Sequence, residues 1–207
     1  MAHHRKPGAG HPAARDCPAV RARTRAHRRR DLPQAPQALR QPDRIRIAGD
    51  RRGRFRGGAL AMALVIRARD EHLPLPDAVL LFSPCADATL TNPDIPVIEP
   101  RDPMLGREGA LWAMRRWAGD RPLRHPWLSP VNDSLRALPR ICVFHGERDI
   151  LCPDAKKMVA KAKAVGTNAE INLYPDAFHV FVGVPQLPES RAALAHAREI
   201  IKNVTAT

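Results

Sequence analysis

From residue 44 onward the chain alternates short apolar runs with longer helical patterns, and this alternation constrains the fold more than any other feature of the sequence. A strand that is apolar along its whole length needs cover on both faces, and helices returning over a parallel sheet supply it, so the rhythm predicts βαβ units. The period repeats four times. Arg44 to Gly49 reads as a short strand, and Ala59 to His72 as a helix whose first turns are apolar on nearly every face and therefore buried. Asp77 to Phe82 is a continuous apolar run that stops at Ser83-Pro84. Arg140 to Phe144 is the third run, followed by a loop and a helix opened by Pro153 and closed at Gly166. Ala169 to Tyr174 is the fourth, and Pro188 to about Val204 reads as a closing helix with Leu194, Ala197, Ile201 and Val204 on its apolar face. Between the second and third strands lies a longer segment, residues 85–139, rich in Pro and Asp, with one helix around Glu108 to Ala118 that carries Leu111, Trp112 and Trp117. Segments so placed commonly cover the substrate end of a sheet, and the tryptophans read as ordinary packing residues.

The formal charge of +13 suggests a nucleic-acid partner until it is divided along the chain. Residues 1–56 hold 16 basic and 4 acidic side chains, a net +12, which leaves +1 for the remainder. The same stretch has only eight residues from V, I, L, M, F, W, Y and C, too few to offset the entropy of ordering it. Residues 1–41 are therefore expected to stand outside the fold. Three readings compete for them. A phosphate-neutralising arm would need interleaved aromatic residues or a repeat, and neither is present. A solvated tail is the plainest reading. Abundant Arg, Pro, Ala and His with no Glu and one Lys is also what GC-rich DNA yields when translated out of frame, and the rest of the chain favours this third reading.

No run approaches the ~20 apolar residues of a membrane span, and no apolar stretch follows the basic N-terminus, so a soluble chain without a secretory signal is expected. Cys17, Cys85, Cys142 and Cys152 are far apart with no C-x-x-C pair, which reads as free thiols in a reducing compartment, the cytoplasm. No metal site and no cofactor are indicated.

In a parallel sheet, functional side chains gather beyond the carboxyl ends of the strands. Three short segments fall there: Gly49-Asp50, His145-Gly-Glu-Arg-Asp149 and Pro175-Asp-Ala-Phe-His179. An acid after one strand and a histidine after the next can meet at that edge, where a carboxylate holds one imidazole nitrogen while the other faces a nucleophile. Spacing alone leaves Glu147, Asp154 and Asp176 as rivals to Asp149, and His145 as a rival to His179.

Residues 42–207 resemble the hormone-sensitive-lipase-like family of α/β-hydrolases, a group of carboxylesterases and lipases. The resemblance rests on Pro42-Asp-Arg-Ile-Arg-Ile-Ala-Gly-Asp50, Gly57-Gly-Ala-Leu-Ala-Met-Ala-Leu64, Leu73-Pro-Leu-Pro76, Leu81-Phe-Ser-Pro84, Asp102-Pro-Met-Leu105, Ser129-Pro130, Gly146-Glu-Arg-Asp-Ile-Leu151 and Phe178-His-Val-Phe181, in that order. It implies an α/β fold of which this chain carries the last four strands, a parallel sheet flanked by helices with residues 85–139 as its cover. It also implies that Asp149 is the acid of a Ser-His-Asp triad and His179 its general base. The implied activity is hydrolysis of small-molecule carboxylic esters without a cofactor.

The departures matter as much. The family's nucleophile elbow reads G-D-S-A-G-G, whereas this chain has Gly49-Asp50, six residues, then Gly57-Gly58. Those six, 51–56, include four Arg and no hydroxyl or thiol. The H-G-G triplet that supplies the family's oxyanion hole is absent from residues 1–43. Ser83, Cys85, Ser129 and Ser134 are the available substitutes for the serine, none of them on an elbow. The expectation is a hydrolase domain inactive as written. A non-catalytic binding protein of the same fold, or nucleic-acid binding through the basic arm, are the alternatives.

Overall fold

The computed structural model describes residues 45–48 and 57–205. The expectations for residues 1–41, and those placed on Gly49 and Asp50, lie outside them. Four strands, β1 (Ile45–Ala48), β2 (Ala78–Phe82), β3 (Arg140–Gly146) and β4 (Ala169–Tyr174), form one sheet in the order β1-β2-β3-β4, every neighbouring pair parallel. The helices are α1 (Gly57–Asp70), a single turn α2 (Ile95–Ile98), α3 (Arg107–Ala118), α4 (Cys152–Ala164) and α5 (Pro188–Thr205). The fold is α/β, a parallel sheet flanked by helices, with spatial order following chain order.

Strands that step in one direction through right-handed crossovers send their connecting helices to one face. Accordingly α1 and α4 share a face: Met62, Val65 and Ile66 of α1 and Ala155, Met158 and Val159 of α4 pack on Val79, Leu81, Ile141 and Val143. Alternate residues of the same strands, Ala78, Leu80, Cys142 and Phe144, face the other way onto Ala193, Ala197 and Ile200 of α5. The central strands β2 and β3 are thus buried on both faces, which is why their sequences run apolar without alternation. A third cluster joins the segment between β2 and β3 to the body: Leu105, Ala110, Met114 and Ala118 pack with Ala59, Ile150 and Leu151.

Three sequence expectations need correction. β3 does not end at Phe144 but runs on through His145 and Gly146, which pair with Leu173 and Tyr174 of β4. On α5, Ala197 of the expected stripe is buried and Ile201 and Val204 pack partly buried beside it, but Leu194 is 43% exposed, and Ala193 and Ile200 complete the buried face instead. Trp112 is not a packing residue: it is 67% exposed on α3, where Ala110 and Met114 take the inward positions.

Candidate active site

The carboxyl ends of β2, β3 and β4 come together through their loops. Backbone hydrogen bonds zip the loop after β3 to the loop after β4, with Glu147 N–H donating to the Tyr174 carbonyl at 3.0 Å and Arg148 N–H to the Ala177 carbonyl at 3.1 Å. Gly146 sits at this junction. A Cβ there would overlap the Ala177 carbonyl and lie 2.8 Å from Phe178 N, so only glycine permits the two loops to approach this closely. The turn after Gly146 closes with Asp149 N–H on the Gly146 carbonyl and Cys152 N–H on the Asp149 carbonyl, which delivers the chain into α4.

Within this junction, Asp149 Oδ2 and His179 Nδ1 are 2.9 Å apart, and both side chains are 0% exposed. Asp149 Oδ1 accepts from Leu151 N–H at 2.9 Å. Burial pushes the Asp149 carboxyl up, but the His145 and His179 imidazoles and the Leu151 N–H outweigh it and hold the group below its ordinary range. An ionised carboxylate accepts the Nδ1 proton of His179, which leaves the lone pair on Nε2. That tautomer is the one a general base requires.

Glu147 pairs instead with Lys156 at 2.7 Å on the surface, Asp154 accepts from Asn92 at 2.8 Å, and Asp176 is exposed. His145 is drawn into the same cluster rather than excluded from it: its Nδ1 lies 3.6 Å from Asp149 Oδ2 and 3.2 Å from the Gly146 carbonyl, and the ring is fully buried. Burial, reinforced by the nearby His179, lowers the pKa of His145, against the pull of Asp149. A folded-state pKa below the unfolded value of about 6.5 contributes stability that is present above that pH and lost as pH falls below it. The depressed carboxyl of Asp149 acts lower, its contribution being lost below about pH 4. The full chain is therefore expected to lose stability on acidification from pH 7 to pH 5, and His145→Asn to flatten that slope. Denaturant midpoints measured across the range check this, and an unchanged slope in the variant would refute it.

The histidine loop is anchored from β2. Val180, next to His179, has φ +52° and donates its N–H to Ser83 Oγ at 2.9 Å. Ser83 itself has φ +47° and donates its N–H to the Phe144 carbonyl at 2.9 Å. Two non-glycine residues in the left-handed region, one bonded to the other and that one in turn to Phe144 of β3, mark a locally strained and over-determined turn. Ser83→Ala leaves the Val180 N–H without its acceptor and is expected to cost about 1–3 kcal/mol in chemical unfolding. A loss under a few tenths would show the bond to be dispensable.

The four substitute nucleophiles are engaged elsewhere. Ser83 is the acceptor just described. Ser129 Oγ accepts from Ala88 N–H at 2.8 Å and donates to the Leu123 carbonyl at 2.6 Å, bracing the cover segment internally. Ser134 is exposed beside Arg69 and Asp133. Burial, then the charges of Asp154, Asp87 and Asp149, push the Cys85 thiol far up, so it stays protonated and unreactive. Gly57 and Gly58 open α1, and a Cβ on Gly58 would come within 2.7 Å of the Pro84 Cβ, so this glycine lets the helix start against the Ser83-Pro84 turn. Sequence reading missed two participants: His145 as a neighbour of the acid, and Asp102, whose Oδ2 accepts from Ile150 N–H. Asp102 lies in one of the matched motifs, but its partner is distant in sequence.

No helix among the described residues is long and apolar enough to cross a membrane, and no group of three or more His, Cys, Asp or Glu among them is arranged to hold a metal ion. The family model described as the alpha/beta hydrolase fold matches residues 7–183. An acetyl-hydrolase of Streptomyces hygroscopicus is 30% identical over 165 residues, 79% of this chain and 54% of the relative. An esterase of Acinetobacter venetianus is 30% identical over 162 residues, 77% of this chain and 52% of its own length. Among solved structures, EstE5 soaked with ethyl alcohol superposes with a TM-score of 0.71 at 32% identity, over 74% of this chain and 52% of that one. A hormone-sensitive lipase from a metagenome library gives 0.66 at 27% identity, over 72% and 51%. The chain thus spans about half the length of the relatives it matches. With the parallel sheet and its loop junction, these matches establish that the chain belongs to the α/β-hydrolase fold family.

Proposed function

We propose that this chain carries the acid and base of a carboxylic-ester hydrolase, Asp149 as the orienting acid and His179 as the general base, without the serine they would serve. The observation that carries the reading is the 2.9 Å contact between Asp149 Oδ2 and His179 Nδ1 in a fully buried setting. In a complete site His179 takes the proton of an attacking serine hydroxyl and returns it to the leaving alcohol, while Asp149 fixes the ring and stabilises the imidazolium. An acyl-enzyme forms and water then releases the acid. Substrates of this chemistry are small-molecule esters. The buried free thiols Cys85, Cys142 and Cys152 support a reducing, cytoplasmic setting.

The test is to supply what is missing. Replacing residues 51–56 with Ser-Ala restores the family's G-D-S-A-G-G order between Gly49-Asp50 and Gly57-Gly58. This variant is expected to hydrolyse p-nitrophenyl butyrate above buffer, with the turnover lost on His179→Ala. Turnover in this variant that His179→Ala leaves unchanged would count against Asp149 and His179 as a competent pair.

A further inference from the structure

Asp149 is held from both flanks by two consecutive residues of the cover segment. Ile150 N–H donates to Asp102 Oδ2 at 2.9 Å. On the other side, Arg148 Nε donates to the Arg101 carbonyl at 3.1 Å. Nothing in the βαβ framework requires this, because the acid loop already closes its own turn and is already zipped to the histidine loop.

Asp102 is built for such a hold. Its Oδ1 accepts from Met104 N–H at 2.9 Å and Leu105 N–H at 3.0 Å, which fixes the carboxylate and leaves Oδ2 aimed at Ile150. Charge-assisted hydrogen bonds from backbone N–H groups are among the stronger and more directional contacts available to a carboxylate. The apolar side supports the same join, with Leu105, Ile150 and Leu151 buried in one cluster. The cover segment is in turn fixed at Glu99, whose Oε1 accepts from Arg107 N–H at 2.7 Å at the start of α3.

We propose that Asp102 is a positioning residue, which acts through the Ile150 N–H to hold Asp149 on His179, so that the cover segment sets the geometry of the acid. The proposal rests on the reading of Asp149 and His179 as the acid–base pair. Asp102 touches no reacting atom. A carboxylate displaced by a fraction of an ångström loses its directional bond to Nδ1, so the hold is felt at the imidazole. A purely structural Asp102 would close its own turn and have no effect at His179.

The discriminating readout is solvent exchange of the His179 Nδ1 proton, followed by NMR on the full chain beside the Ile150, Leu80 and Val143 amides. Asp102→Ala is expected to speed exchange at His179 Nδ1 and at Ile150 by about tenfold or more, with the Leu80 and Val143 amides of the sheet unchanged. Asp102→Asn, which keeps one acceptor oxygen, is expected to give a smaller change of the same sign, and it carries the test if the alanine variant does not fold. His179 exchange within about twofold of the unsubstituted chain, with Ile150 freed, overturns the proposal. If the unsubstituted chain shows no slowly exchanging Nδ1 proton, the acid–base reading fails and the proposal with it. Failure of the proposal alone leaves that signal intact in every form.

Discussion

Given p-nitrophenyl butyrate, the full chain is expected to release p-nitrophenol no faster than its own His179→Ala variant. An oriented imidazole gains its large effect in ester hydrolysis by activating a nucleophile that then bonds to the carbonyl carbon. Residues 51–56, where the family places that nucleophile, contain no hydroxyl or thiol. Ser83 and Ser129 are tied to backbone partners and Cys85 is held protonated. Loss of the serine in subtilisin costs on the order of a million-fold in turnover, which would bring an esterase rate to the background. Turnover in the full chain that His179→Ala abolishes would mean that a nucleophile reaches the imidazole from elsewhere in the sequence.

The second large effect is structural. Gly146→Ala is expected to destabilise the chain by about 3 kcal/mol or more and to separate Asp149 from His179. The added Cβ would meet backbone, the Ala177 carbonyl and Phe178 N, and backbone yields only by moving a whole loop. That loop carries His179, and of the two bonds that join it to the acid loop directly after Gly146, the one from Arg148 ends on the same Ala177 carbonyl that the Cβ would strike. Gly109→Ala is the matched control, since a Cβ on this α3 residue meets nothing within 4 Å. There the change is expected to be neutral or stabilising by up to about 1 kcal/mol, because alanine favours the helix. A Gly146→Ala chain with an unshifted unfolding midpoint would show that the two loops do not touch as described.

Much of this architecture was legible in the sequence, for reasons visible in particular residues. Ala78 to Leu81 and Ile141 to Phe144 are apolar at every position because both faces of the sheet are covered, and the alternation with helical patterns fixes a parallel arrangement. The end of β3 was less legible. His145 and Gly146 look like loop residues, yet both pair with β4, because the histidine is buried beside Asp149 and the glycine permits the loops to touch. Ala197, Ile201 and Val204 mark the inward side of α5 as read, whereas Leu194 lies outside it because the small Ala193 takes the inward position of that turn. Asp149 and His179 were two among several acids and histidines until the family resemblance singled them out, and the contact between them depends on loop geometry that spacing does not encode. The bond from Asp102 to Ile150 links residues 48 apart in sequence through a backbone N–H, and backbone donors leave no trace in side-chain identity.

The central claim is that Asp149 holds His179 by Nδ1 inside the junction of the β3 and β4 loops. The measurement that tests it most directly is a proton spectrum of the full chain with nitrogen-labelled histidine. One Nδ1–H resonance, shifted downfield by its charge-assisted bond, is expected to be lost in both His179→Ala and Asp149→Ala and to persist in His145→Asn. Absence of that resonance from the unsubstituted chain, or its survival in Asp149→Ala, would contradict the account.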